Sequence, residues 1–217
     1  MKLLIASLTI LCLLLAVPAA AQVLYDNGPI NGNIDAWTIN FGYIVSDSFT
    51  IANNSTMSGF AFGTRDLPGD QLIAVDWSVT SGENSGTVYG SGTASGSMLT
   101  DKYVSTNMFG YEIHLITVTG LDVNLSGGTY WLSLQNAKVP SGDPVFWEEN
   151  SGVGCGGDNG KGGGCPSQAS ESAVGTIPSE AFTINGGGTG TTPEPGSFLL
   201  FASGVLGVAG VLRRKLL

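Results

Sequence analysis

Between residues 22 and 184, short runs of alternating apolar and polar positions recur, and turn residues separate them. In IVSDSFTI (44–51), Val45, Asp47, Phe49 and Ile51 share one face, and Ser46, Ser48 and Thr50 share the other. A period of two predicts half-buried strands. Similar runs predict strands at 36–41, 44–51, 57–62, 72–80, 87–91, 111–119, 128–134, 145–147 and 181–184. Between them lie Pro68-Gly69-Asp70, Ser81-Gly82, Ser126-Gly127-Gly128 and Ser141-Gly142-Asp143-Pro144, all turn-forming. No useful helical period appears before residue 197. The pattern therefore predicts an all-β fold, an antiparallel β-sandwich of jelly-roll kind over 22–184. That length is enough to bury a real core.

The two ends follow a different pattern. Residues 1–21 read MKLLIASLTILCLLLAVPAAA. A cation at Lys2, an apolar run to Val17, a break at Pro18 and three alanines form a secretory signal helix. Cleavage is expected between Ala21 and Gln22, so the export translocon and signal peptidase are expected partners. Cys12 would be discarded with the signal, because Leu11 is not the small residue that a lipoprotein site needs. At the other end, 185–195 (NGGGTGTTPEP) reads as a linker. Residues 196–217 then hold an uncharged apolar stretch and a basic stop, Arg213-Arg214-Lys215. As a helix, 197–212 is about 24 Å long. That is slightly short of a hydrocarbon core of about 30 Å, a gap that snorkelling arginines and local thinning can close. Basic residues after a span favour the cytoplasm, which places 22–192 outside. The signal peptide requires the same topology.

Pro193-Glu194-Pro195, a short apolar helix and an arginine-rich end together resemble the PEP-CTERM sorting signal. The resemblance covers about the last 25 residues. It implies recognition of Pro193, Glu194 and Pro195 by exosortase, a membrane protease that cleaves such tails. It further implies a Gram-negative source that makes exopolysaccharide, an intermediate anchored in the inner membrane, and final sorting to the outer envelope or extracellular matrix. The interior segments DNGPINGNIDAWTINFGYIVSDSFT, GDQLIAVDWSV, GTYWLSLQNA, DPVFWEEN and GTIPSEAFTI are also similar to a recurring exported bacterial domain of unassigned activity. That similarity supplies no catalytic residues.

Composition supports the β reading and adds an environment. Glycine reaches 33 residues of 217, and charged residues are only 12% of the chain. Between residues 22 and 192, four cations (Arg65, Lys102, Lys138 and Lys161) face 16 acids. Such a surface repels nucleic acid and anionic headgroups and keeps an exported protein soluble.

Candidate chemistry is sparse. Cys155 and Cys165 flank a glycine-rich loop, and outside the cytoplasm they are expected to form a disulfide. Closing so short a loop contributes about 2–3 kcal/mol. Two thiols without a nearby histidine fall short of a zinc shell. His114 is the only imidazole; alternation puts it with Glu112 on one face, where solvent-facing decoration is expected. No nucleophile elbow, phosphate loop or histidine metal motif is present.

Asp143, Glu148 and Glu149 surround Val145-Phe146-Trp147. A strand would turn Glu148 and Glu149 to opposite faces, which works against a two-carboxylate glycosidase pair. Asp26-Asn27-Gly28 and Asn31-Gly32-Asn33-Ile34-Asp35 are oxygen-rich turns of the kind that Ca²⁺ favours, although such turns also form without metal. No other cofactor is expected. Trp77 and Trp131 sit in strongly apolar runs and are expected in the core. Trp37 and Trp147 are the surface candidates for stacking on sugar rings, with Asp143 and Glu148 beside them. The reading is a non-enzymatic module for polysaccharide or matrix, or a structural matrix protein. An extracellular glycan hydrolase is the competing class.

Overall fold

The computed structural model describes residues 22–30, 32, 35–150 and 167–188. The expected signal helix, the Cys155–Cys165 pair, the sorting motif and the apolar tail lie outside these residues. Among the described residues, no helix is long and apolar enough to cross a membrane. They are nearly all strand, and every pairing is antiparallel.

The strands are, in chain order, β1 (Gln22–Asp26), β2 (Ala36–Thr38), β3 (Ile44–Ile51), β4 (Ser55–Asp66), β5 (Ala74–Gly82), β6 (Ser85–Ser95), β7 (Leu99–Thr106), β8 (Glu112–Leu125), β9 (Gly128–Lys138), β10 (Phe146–Glu148), β11 (Ala169–Glu171), β12 (Gly175–Ile177) and β13 (Phe182–Gly188). One sheet runs β1-β13-β4-β10-β2, with β8 on the other side of β4 and β7 beyond it. The second sheet runs β12-β11-β3-β9-β5-β6.

The period-two pattern builds the core. Val45, Phe49 and Ile51 of β3, Val75, Trp77 and Val79 of β5, and Leu132 and Leu134 of β9 point inward from the second sheet. Phe60 and Phe62 of β4, Ile116 and Val118 of β8, and Phe182 and Ile184 of β13 meet them from the first. Rings bridge the sheets: Phe60 lies 6.2 Å from Trp77, and Phe49 lies 6.4 Å edge-on from Phe182. Burying each such side chain stabilises by about 1.5–3 kcal/mol. Trp131 is only half-buried and points out of β9, whereas Trp77 takes the core position expected of both.

The segment after β1 covers part of the outer face of the first sheet. Ile30 rests on Gly63 of β4, where a Cβ would collide with the Ile30 side chain. Gly32 lies against Ile113 of β8, which is fully buried. Strand β8 is thus apolar on both faces.

Register defines two poles. Gln22 pairs with Gly186, Gly188 with Ser55, and Ser55 with Leu125, so both chain ends leave at one pole. At the far end of β4, Asp66 pairs with Glu112, and a loop over 67–73 leads to Ala74 opposite Lys138. Twelve residues of β4 separate these poles by roughly 36 Å. Strand β13 extends to Gly188, past the expected start of the linker at 185. Its glycines pair through backbone with Met57, Thr56 and Ser55, which needs no side-chain signal.

Candidate functional site

Two polar features occupy the pole opposite the chain ends. The first is an open groove of about 640 Å³. The turn between β2 and β3 supplies Asn40 and Phe41, Ile73 just before β5 and Asp76 within it form another part, and the end of β9 with its following loop supplies 136–140, Gly142 and Asp143. Its volume falls in the range of small-ligand sites.

The groove wall is locally unusual. Phe41 is 64% exposed and sits at φ +56°. A left-handed conformation costs a non-glycine residue about 1–2 kcal/mol, and a bulky one rarely adopts it. Ile73 is 51% exposed on the other side. A register shift between β5 and β9 accompanies Asn136 at φ +50° and turns its side chain onto Asp76. Asn136 Nδ2 donates to Asp76 Oδ2 at 2.8 Å, and Thr93 Oγ1 donates to Asp76 Oδ1 at 2.5 Å. The Thr93 bond, then the Asn136 bond, hold this carboxyl below its ordinary range, with Lys138 adding attraction. Asn40 Nδ2 donates to the Asp143 carbonyl at 2.9 Å and fixes the loop that carries Asp143. The result is an exposed ring and an exposed aliphatic side chain beside fixed carboxylate and amide groups.

The second feature is centred on His114. It is 2% exposed, which corrects the expectation of a solvent-facing side chain. Alternation does place it with Glu112, and its Nε2 lies 3.5 Å from Glu112 Oε2. That face is the inner one, however, because Ile116 and Val118 continue it into the core. The outward Ile113 misleads because the segment around Ile30 and Gly32 buries it. His114 Nδ1 and Asp101 Oδ1 are 2.5 Å apart. Leu72 N donates to Asp101 Oδ2 at 2.7 Å, and Gly69 N donates to Glu112 Oε2 at 3.0 Å. Thr64 Oγ1 donates to Asp66 Oδ2 at 2.7 Å. Burial pushes the Asp66 carboxyl up to about 7, against the Thr64 bond and the neighbouring imidazole.

The sequence-derived ligand residues divide. Asp143 lines the groove. Trp37 is half-buried, and its Nε1 donates to Glu149 Oε1 at 2.8 Å. Trp147 is 0% exposed, against the expectation of a surface ring. It packs 5.6 Å from Phe182 and 5.9 Å from Phe62, and its Nε1 donates to the Ala181 carbonyl at 3.1 Å. Strand β10 is central, between β4 and β2, so its inward residue joins the core. Glu148 is also fully buried, 2.7 Å from Arg65 beneath Gly63 and Ile30, and cannot serve an open sugar site with Asp143. Asp26 Oδ1 accepts from Gly28 N. The buried Asn27 amide donates to Asp47, Ser179 and the Glu180 carbonyl. Asn31, Asn33 and Ile34 lie outside the described residues. Sequence reasoning missed Phe41, Ile73 and Asp76; the Phe-Gly pair at 41–42 was the available signal for a turn that exposes a ring.

The fold defines an antiparallel, nearly all-β protein with an open polar groove at one pole. Residues 191–215 match the family model of the PEP-CTERM protein-sorting motif. The chain thus carries a PEP-CTERM signal, the mark of an exported, membrane-passing protein sorted through exosortase. No curated protein matches the chain.

Proposed function

We propose that this protein is a non-enzymatic module that holds polysaccharide of the envelope or extracellular matrix in the groove at Phe41. The observation that carries the reading is Phe41 itself, a ring kept in solvent in a left-handed conformation beside Asp76, Asn136 and Asp143. Strained backbone concentrates at functional sites. A ring face stacks on the apolar face of a sugar, while fixed carboxylates and amides take its hydroxyls. In this reading, cleavage after Ala21 frees Gln22, exosortase acts at Pro193-Glu194-Pro195, and Cys155 pairs with Cys165 in the exported chain.

Affinity electrophoresis of the intact chain through gels containing the producing cell's exopolysaccharide tests the groove. Retardation is expected for the native protein, and Phe41→Ala and Asp143→Asn should each weaken it about tenfold or more. Trp147→Ala is the control. It should cost about 3–5 kcal/mol of stability without altering retardation of the folded fraction. Unchanged migration of the native protein in the polysaccharide would refute the reading, and sugar release would replace it with the hydrolase.

A further inference from the structure

The His114 cluster has the composition and the unfilled bonds of a metal site, and the groove does not use it. One ligand atom from each of Asp66, Asp101 and His114 lies within 4.8 Å of the other two. Three strands bring them together: β4 ends in Asp66, β7 carries Asp101 and β8 carries His114. Two atoms at the cluster are buried without a hydrogen-bond partner, Asp66 Oδ1 and His114 Nε2. An unpaired buried polar atom is expensive, and a buried lone pair beside two carboxylates suits a cation. Asp101 accepts from His114 Nδ1–H, which leaves the Nε2 lone pair free in the neutral ring. A carboxylate that orients a ligating imidazole in this way is the usual support for such a site.

We propose that His114 Nε2, Asp66 and Glu112, whose Oε2 lies 3.5 Å from that nitrogen, bind one divalent cation of the zinc class, while Asp101 orients the imidazole from its Nδ1 side. One imidazole nitrogen and two carboxylates form a mixed set for a borderline ion. Ca²⁺ would require six to eight oxygens, which this cluster does not provide. Metal–ligand bonds of about 2.0–2.2 Å need the donor atoms roughly 3–3.5 Å apart, so the cluster tightens on binding. The loop over 67–73 would tighten with it, since Gly69 N and Leu72 N are bonded to Glu112 and Asp101.

The test uses the intact chain without a polyhistidine tag, in a Cys155→Ser/Cys165→Ser background so that thiolates do not contribute. After EDTA treatment and dialysis, calorimetric titration with ZnCl2 should give one ion per chain, with CaCl2 binding at least about 100-fold more weakly. Asp66→Asn and His114→Gln should each weaken Zn²⁺ binding about 100-fold or more. His114 is the only histidine, so its imidazole ¹⁵N signals are unambiguous. Zn²⁺ should shift Nε2 strongly in the otherwise native sequence, a readout that survives if a variant fails to fold. No Zn²⁺ binding, undiminished binding in folded variants, or an unmoved Nε2 resonance would each overturn the proposal.

Discussion

Phe41 shows why an exposed groove residue is hard to read from local sequence. Its exposure and its φ of +56° both run against what a phenylalanine prefers. Neither preference is visible in the apolar pattern, which treats the side chain as a candidate for burial. Stability and binding should therefore separate at this position. Phe41→Gly relieves the left-handed strain but makes the unfolded chain more flexible. Denaturant unfolding should show a net change within about 1 kcal/mol. Polysaccharide retention by the same variant should be lost. A large loss of stability would mean that Phe41 is a packing residue. Trp147 is the converse, with the composition of a sugar platform and the environment of a core ring.

At the scale of elements, two strands and the residue stretch leading into a third carry buried carboxylates. Asp47 of β3, Glu148 of β10 and Glu180 just before β13 are all fully buried. Burial raises Asp47 to about 7 and Glu148 to about 6 despite Arg65. Burial, followed by repulsion from Asp47, Glu149, Glu148 and Asp35, raises Glu180 well above the ordinary range. These folded-state values lie above the unfolded ones, so between pH 4 and 7 the folded state holds more protons. Stability is then highest below pH 4 as far as these groups decide it, and it falls as pH rises through the folded values. Urea midpoints should be higher at pH 5 than at pH 7.5, and Asp47→Asn should flatten the difference.

The same elements show what was legible. Strand β3 was legible because Val45, Phe49 and Ile51 alternate into the core, although Ser46 and Ser48 on the other face are covered as well and only Thr50 is exposed. Strand β7 (LTDKYVST) was not legible, because an edge strand paired only with β8 needs little apolar surface. Strands β11 and β12 are three residues each, too short to show a period. The groove was legible at Asp143 and the turn around it. The His114 cluster was hidden because a covered outer face on β8 makes its inner face look like the polar one.

At the scale of the whole molecule, the sorting tail and the groove are separate devices. Changing Pro193, Glu194 and Pro195 together to alanine should leave the β domain folded and the tail in place. Fractionation of the exporting cell, with mass spectrometry of the product, should then find the chain in the membrane with 191–215 intact. Processing that continues unchanged would place recognition elsewhere in the tail. The pairing of β1 with β13 bears on the interval before release. Both terminal strands leave at one pole, and Phe41 and His114 lie toward the other, with β4 spanning roughly 36 Å between the two poles. Under the proposed function, the groove thus lies at the pole away from the tether while the tail is still attached.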